Sequence, residues 1–337
     1  MRIRLLIVLL CALVLTPPLA AAPAAQSWAQ AEINVATSSG YLGGSAKSFR
    51  PDAALSQAEL AELVAQLTRR PATTPATPAA SVTLTVFDAH MVRAVGLSGA
   101  ASRFTAAARS AGLAPPSRFG TEVVARLLGL RTNHPASQDN LELLPGDAIT
   151  RAEAAFSVAR ILRLSRFDRD SVAAAADAFA LPALTEPQRL LLRTAVSFIG
   201  YPYVWGGEFE GRDSPFGEQA QGGFDCSGLA WRVVKLQRYP TLPLLGTTLR
   251  GRTTMAMSGE VPASKRIAGP KVMAGDLLFF GDRGPKSKPA EVGHMAISLG
   301  NGWFIHSSTL GVALAPLSGW YADRLAWARR PLAEAGV

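Results

Sequence analysis

The sequence predicts a chain in two unlike parts: a mostly helical N-terminal region, then a domain that sets a helix against antiparallel strands. Three observations predict it. Helix-start signals followed by apolar residues at helical spacing occur at Ser56 and again at Thr150. A glycine-containing loop at Gly223 runs into an apolar helix face headed by Cys226. Alternating apolar runs flank Asn301-Gly302, a strong hairpin signal. With 337 residues, 48% hydrophobic and 18% charged, two ordinary packed domains are affordable, and disordered or fibrous chains are excluded.

The first apolar stretch, Leu5 to Leu15, follows Arg2 and Arg4 and leads into Pro17-Pro18 and an alanine run, the pattern of a secretory signal. It is too short to span a bilayer, and no later segment supplies the ~20 apolar residues a spanning helix needs. Residues 1–31 are therefore read as signal, with cleavage after Ala22, Ala24, Ala25 or Ala31, and the mature chain as secreted or cell-wall associated. Loss of Cys11 with the signal leaves Cys226 as the only thiol, so no internal disulfide can form. In an exported protein a lone cysteine points to a reactive thiol or an intermolecular bridge. Losing Arg2 and Arg4 takes the formal charge from +9 to +7, which outside a cell favours acidic wall polymers or membrane surfaces over nucleic acid.

Residues 32–50 show no periodicity and read as loop. Ser56 and Glu59 form a capping box ahead of Leu60, Leu63, Val64 and Leu67, and Pro71 ends that helix. Residues 71–80, rich in Pro, Ala and Thr, read as a semi-stiff linker. Residues 81–184 are expected to be helical, with a second capping box at Thr150 and Glu153 and another helix over Ser171–Ala180. The likeness of Leu55-Ser56-Gln57-Ala58-Glu59 to Ile149-Thr150-Arg151-Ala152-Glu153 suggests a degenerate repeat. The stretch Leu144-Pro-Gly-Asp147 with Ile149-Thr-Arg-Ala-Glu-Ala-Ala155 resembles the end of an S-layer homology module, over 120–165 and more weakly 48–70. That resemblance implies anchoring to acidic or pyruvylated wall polysaccharide; a plain helical spacer is the other reading.

A new pattern opens at Glu186, where Leu190, Leu191, Leu192, Ala195, Val196 and Phe198 line a helix closed by Gly200, so the C-terminal domain is placed at 185–337. Cys226 then heads a helix whose core face includes Leu229, Val233, Val234 and Leu236. At a helix N-terminus the dipole and free N–H groups favour thiolate, the nucleophilic form, while burial opposes it, so a base is also required. His294 and His306 fall on the two strands of the hairpin, where they can meet. A base on the nucleophile, oriented by a third polar group, is the logic of an activated thiol: His294 is assigned as base and His306 as its orienting partner.

Five motifs occur in order: Tyr203-Val-Trp-Gly-Gly, Phe224-Asp-Cys-Ser-Gly-Leu, Gly275-Asp-Leu-Leu-Phe-Phe280, Val292-Gly-His-Met-Ala-Ile and Asn301-Gly-Trp-Phe-Ile-His306. Together they resemble the NlpC/p-sixty cysteine peptidases over 186 to about 330. The resemblance implies an α+β, papain-like fold, with a cysteine-bearing helix packed on a small antiparallel sheet, and hydrolysis of peptidoglycan stem peptides. Position by position it matches Cys226 to the nucleophile, His294 to the base and His306 to the third member. Tyr203, Asp225 and Ser227 match positions that recognise the stem peptide in members cutting after γ-D-glutamate. An aspartate can pair with a free amine, and hydroxyls can bond peptide or oxyanion; helix capping by Asp225 and packing by Tyr203 are the local alternatives. No cofactor is implied.

The chain departs from that pattern in an acidic insertion, Glu208 to Gly222, while eleven Lys or Arg face three acids between Trp231 and Lys288. Zinc held by one Cys and two His is a rival without supporting C-x-x-C or H-E-x-x-H spacing. Amidase cleavage before L-alanine and acyl transfer would use the same three side chains. A non-catalytic wall-binding protein is the remaining alternative.

Overall fold

A computed structural model describes residues 26–215 and 217–337. The export signal read at Leu5–Leu15, with Cys11, lies outside the described residues. Helix α1 (Gln30–Ser38) occupies part of the stretch expected to be loop. Its apolar periodicity is faint, and its order comes from burying Ile33 and Ala36, with Ala29 just before them. Helices α2 (Gln57–Thr68), α3 (Leu84–Ala94), α4 (Ser98–Ser110), α5 (Phe119–Leu127), α6 (Arg151–Arg163) and α7 (Arg166–Ala178) follow. The last starts earlier than Ser171 because Ser165 and Asp168 close a capping box.

Three of these helices begin alike. Leu55-Ser56, Val82-Thr83 and Ile149-Thr150 each set a buried aliphatic residue before a hydroxyl that caps α2, α3 or α6. The N–H of Leu55 donates to Ile149 (2.9 Å), Val82 to Leu55 (2.9 Å) and Ile149 to Val82 (2.8 Å), so the three starts close into a ring. The suspected repeat thus has a third copy, masked in the sequence because Thr83 is followed three positions on by Val86, not an acid. Ser56 and Glu59 make both halves of their box, whereas Thr150 makes only one. The Glu153 carboxylate is drawn instead toward Arg131 (3.3 Å) and His134 (3.5 Å). The Pro/Ala/Thr stretch is tied down at its end, where Pro78 and Ala80 carbonyls accept the first N–H groups of α2 from Ala58 and Gln57.

The C-terminal part starts with α8 (Glu186–Ser197), capped by Thr185. Two short pairings then shape the acidic insertion: β1 (Glu208–Phe209) with β4 (Gly223–Phe224), and β2 (Asp213–Ser214) with β3 (Gly217–Glu218). Helix α9 (Cys226–Ala230) continues into a wider π turn over Trp231–Leu236, and α10 (Thr254–Gly259) precedes the sheet. Strands β5 (Leu277–Gly281), β6 (Val292–Gly300), β7 (Trp303–Ser308), β8 (Gly311–Pro316) and β9 (Leu325–Arg329) form one antiparallel sheet, ordered β8-β7-β6-β5-β9. Short helices α11 (Trp320–Arg324) and α12 (Pro331–Glu334) flank β9. Asn301 (φ +50°) and Gly302 (φ +75°) turn β6 into β7, both with the positive φ that a two-residue hairpin needs.

On one face of the sheet Leu277, Phe279, Met295, Ile297 and Ile305 share a core with Leu229 and Val233 of the cysteine helix. Leu278, Phe280, Ala296, Phe304 and Leu325 form a smaller cluster on the other, joined by Tyr321. The larger core runs unbroken from Ile33 to Leu332. Across residue 184, Trp303 packs edge-on against Phe104 (5.9 Å) and Phe179 (5.0 Å). Arg126 of α5 donates to the carbonyls of Leu310 and Gly200. Among the described residues, no helix is long and apolar enough to cross a membrane.

Candidate active site

Asp225 stands in extended backbone and accepts the N–H of Gly228, which makes it the N-cap of α9 and Cys226 the first helical residue. Gly228 is required here: the Gly207 carbonyl lies where any Cβ would go. The Cys226 Sγ is 3.4 Å from the Thr254 hydroxyl at the start of α10. Among the described residues it makes no hydrogen bond to an imidazole. Burial pushes the thiol above its ordinary range; the Thr254 hydroxyl opposes this, the Asp225 charge adds to it, and the N–H groups of Met295 and Ser227 oppose it. Met295 follows His294, so the sulfur lies against the main chain that carries the assigned base.

The structure brings the two expected histidines together. His294 Nε2 and His306 Nδ1 are 2.8 Å apart, and the register Ile297↔Ile305 makes the two residues diagonal neighbours on one face. Phe280 stacks on His294 (5.8 Å), Phe304 and Tyr321 meet His306 (5.1 and 5.4 Å), and Tyr321 also approaches His294 (6.4 Å). His306 is buried and His294 half-buried against this aromatic shell, and burial lowers the His294 pKa to about 4 and that of His306 well below its usual range, with His294 adding to the second shift. Both rings are neutral at pH 7, and among the described residues Nδ1 of His294 has no hydrogen-bond partner.

Tyr203 lies within electrostatic reach of the sulfur: burial first, then Cys226 and Asp225, raise its phenol pKa. Asp225 and Ser227 are engaged locally. The Asp225 carboxylate accepts from Gly228, Ser227 Oγ (2.9 Å), Gly206 N–H (3.1 Å) and Arg252 (3.4 Å), and Arg252 also donates to Ser227 Oγ (2.8 Å). Of the two roles read for Asp225, capping is the one its geometry displays. Arg252 further holds Glu208, and Arg232 grips Glu210 with two nitrogens, so the acidic insertion is docked on the basic stretch that follows it. Thr254, Arg252 and Tyr321 carry no sequence signal of their own; only their places in the fold reveal them.

A cysteine-headed helix packed on an antiparallel sheet that carries paired histidines is the papain-like α+β arrangement. Residues 200–330 match the NlpC/P60 family, and residues 22–61 match the S-layer homology domain. The C-terminal part is thus similar to NlpC/P60 domains, and the N-terminal end to S-layer homology domains. The latter match meets the likeness read from the sequence only over 48–61 and leaves out the clearer stretch at 120–165, in which Ile149 belongs to the same ring of helix entries as Leu55. The chain is 36% identical over 131 residues to the probable peptidoglycan endopeptidase LytE of Bacillus subtilis, covering 39% of this chain and 30% of that one. It is 34% identical over 137 residues to the bifunctional muramidase/DL-endopeptidase CwlT of the same organism, covering 40% and 34%. It thus spans about a third of the length of these curated relatives. The solved NlpC/p60 domain of the peptidoglycan hydrolase SagA is 28% identical, with 42% of this chain and 96% of that one covered and a TM-score of 0.29.

Proposed function

We propose that the chain is a cell-wall cysteine peptidase that cuts peptidoglycan stem peptides at the D-γ-glutamyl–diamino acid bond, exported by its N-terminal signal and held at the wall by its helical region. The observation that carries this reading is the sole described free thiol, at the head of α9, beside a strand whose His294 is hydrogen-bonded to His306. In this mechanism the sulfur leaves Thr254 and gives its proton to Nδ1 of His294, while Nε2–H donates to His306 and fixes the ring. The thiolate attacks the amide carbonyl, the oxyanion is met by the Cys226 N–H, and His294 returns the proton to the leaving amine. Water then opens the thioester, giving a γ-D-glutamyl carboxylate and restoring the thiol. Tyr203 supplies a hydroxyl beside the sulfur for the bound peptide.

Mass spectrometry of purified peptidoglycan after digestion tests it. New γ-D-glutamyl carboxylates are expected; free L-alanine amines would show an amidase, and acyl–amine products a transferase. Cys226→Ala is expected to lower turnover by about 10⁴-fold or more. One observation favours a second reading, a wall-binding protein without turnover: the sulfur rests on Thr254 and not on an imidazole. Sacculus binding by the wild type with no product at any pH would select it.

A further inference from the structure

We propose that residues 131–142, in the helical N-terminal region, form part of the substrate wall of the thiol site, with Asn133 and Asp139 as positioning residues for the main chain of Tyr203–Trp205. This rests on the peptidase reading. Asn133 Nδ2 donates to the Tyr203 carbonyl, and its own N–H donates to Thr309 beyond β7 (3.0 Å). Asp139, 3% exposed, accepts the Trp205 N–H at 2.8 Å. The next residue, Gly206, donates to Asp225, the cap that presents Cys226. A continuous path thus leads from Asp139 through two peptide units to the nucleophile's own helix cap.

The segment is built to hold still. The Glu142 carboxylate accepts from both the main chain (2.6 Å) and ring (3.1 Å) of His134, and Arg131 is locked between buried Asp88 and Glu153. Gln221, in the insertion, donates to the Glu142 carbonyl (3.1 Å). What this frame carries is an indole with no fold-stabilising use: Trp205 is 72% exposed although its main chain is fixed. A large apolar side chain left in water on a rigid backbone, beside a tyrosine within reach of the sulfur, is placed for a substrate and not for the core.

The test uses the full chain with Asp139→Ala, Asn133→Ala and Asp139→Asn, the last keeping an oxygen acceptor. Three readouts are taken: amide exchange at Trp205 and Gly206, KM and kcat on a soluble muropeptide, and the rate of Cys226 alkylation by iodoacetamide. Loss of one bond to a charged acceptor should speed Trp205 exchange and raise KM by roughly tenfold or more in Asp139→Ala, with alkylation unchanged. Asn133→Ala is expected to raise KM similarly, and Asp139→Asn to stay within about threefold of wild type. Unchanged exchange and KM in both alanine variants would overturn the proposal, as would an Asp139→Asn as impaired as Asp139→Ala. Should Asp139→Ala not fold, Asn133→Ala and Asp139→Asn decide alone. If the wild type turns over no muropeptide, the peptidase reading fails, while exchange at Trp205 still judges the positioning.

Discussion

Thr254 touches the sulfur through its hydroxyl, and exchanging it for valine removes that hydroxyl while keeping the branched shape. A hydrogen bond to a charged acceptor contributes about 1.5–3 kcal/mol, so Thr254→Val is expected to raise the thiol pKa and slow neutral-pH alkylation roughly tenfold. Thr254→Ser should restore the wild-type profile. Equal profiles in valine and serine variants would remove Thr254 from the site. The imidazoles set a second expectation. Because burial holds His294 near pKa 4, the unfolded chain binds a proton between pH 6.5 and about 4 that the folded ring refuses. Stability from this ring is therefore intact above pH 6.5 and falls on acidification toward pH 4, by about 1.4 kcal/mol per pH unit. Denaturant titrations of wild type and His294→Gln at pH 7 and pH 4.5 check this, and a wild type with no greater acid loss than the variant would refute it.

At the level of elements, what could be read in the sequence was whatever local chemistry decides. The hairpin at Asn301-Gly302 needs two positive φ angles, the box at Ser56 and Glu59 needs only neighbours three residues apart, and Cys226 needs only a capping aspartate before it. From those signals the meeting of His294 with His306 was legible, because hairpin register is set by the turn. Illegible were features that distant partners decide. Glu153 abandons its cap for Arg131 and His134, α1 is ordered by burial and not by pattern, and Thr254 reaches the sulfur from 28 residues away. The place of the thiol itself was foreseen, but its resting partner was not. The cap also makes a prediction: Asp225→Ala removes the acceptor of Gly228, Ser227, Gly206 and Arg252 and should cost about 2 kcal/mol, at the upper end for a cap. Asp225→Asn is expected to cost less, since it keeps an acceptor, and thermal unfolding of the pair measures both.

On the scale of the molecule, the boundary near residue 184 divides the sequence without dividing the packing. Trp303 of the sheet is covered by Phe104 and Phe179, so Phe179→Ala is expected to destabilise the entire chain by about 3–5 kcal/mol in a single transition. Two transitions in a calorimetric scan of the wild type would show that the halves melt apart. A chain cut to 185–337 leaves Trp303 bare and should give low soluble yield beside the full protein. At the other end, Trp28 meets His134 edge-on at 4.5 Å and Ala29 is fully buried. Cleavage after Ala31 would remove both, so N-terminal sequencing of the chain recovered from the producing cells is expected to find a start that keeps Trp28, as cleavage after Ala22, Ala24 or Ala25 would give.

The sulfur that rests on a threonine in its neutral form has a bearing on survival. Peroxide and small disulfides attack thiolates far faster than thiols. With no second cysteine among the described residues, a sulfur held protonated at rest endures in an oxidising medium where a permanently ionised one would soon be spent.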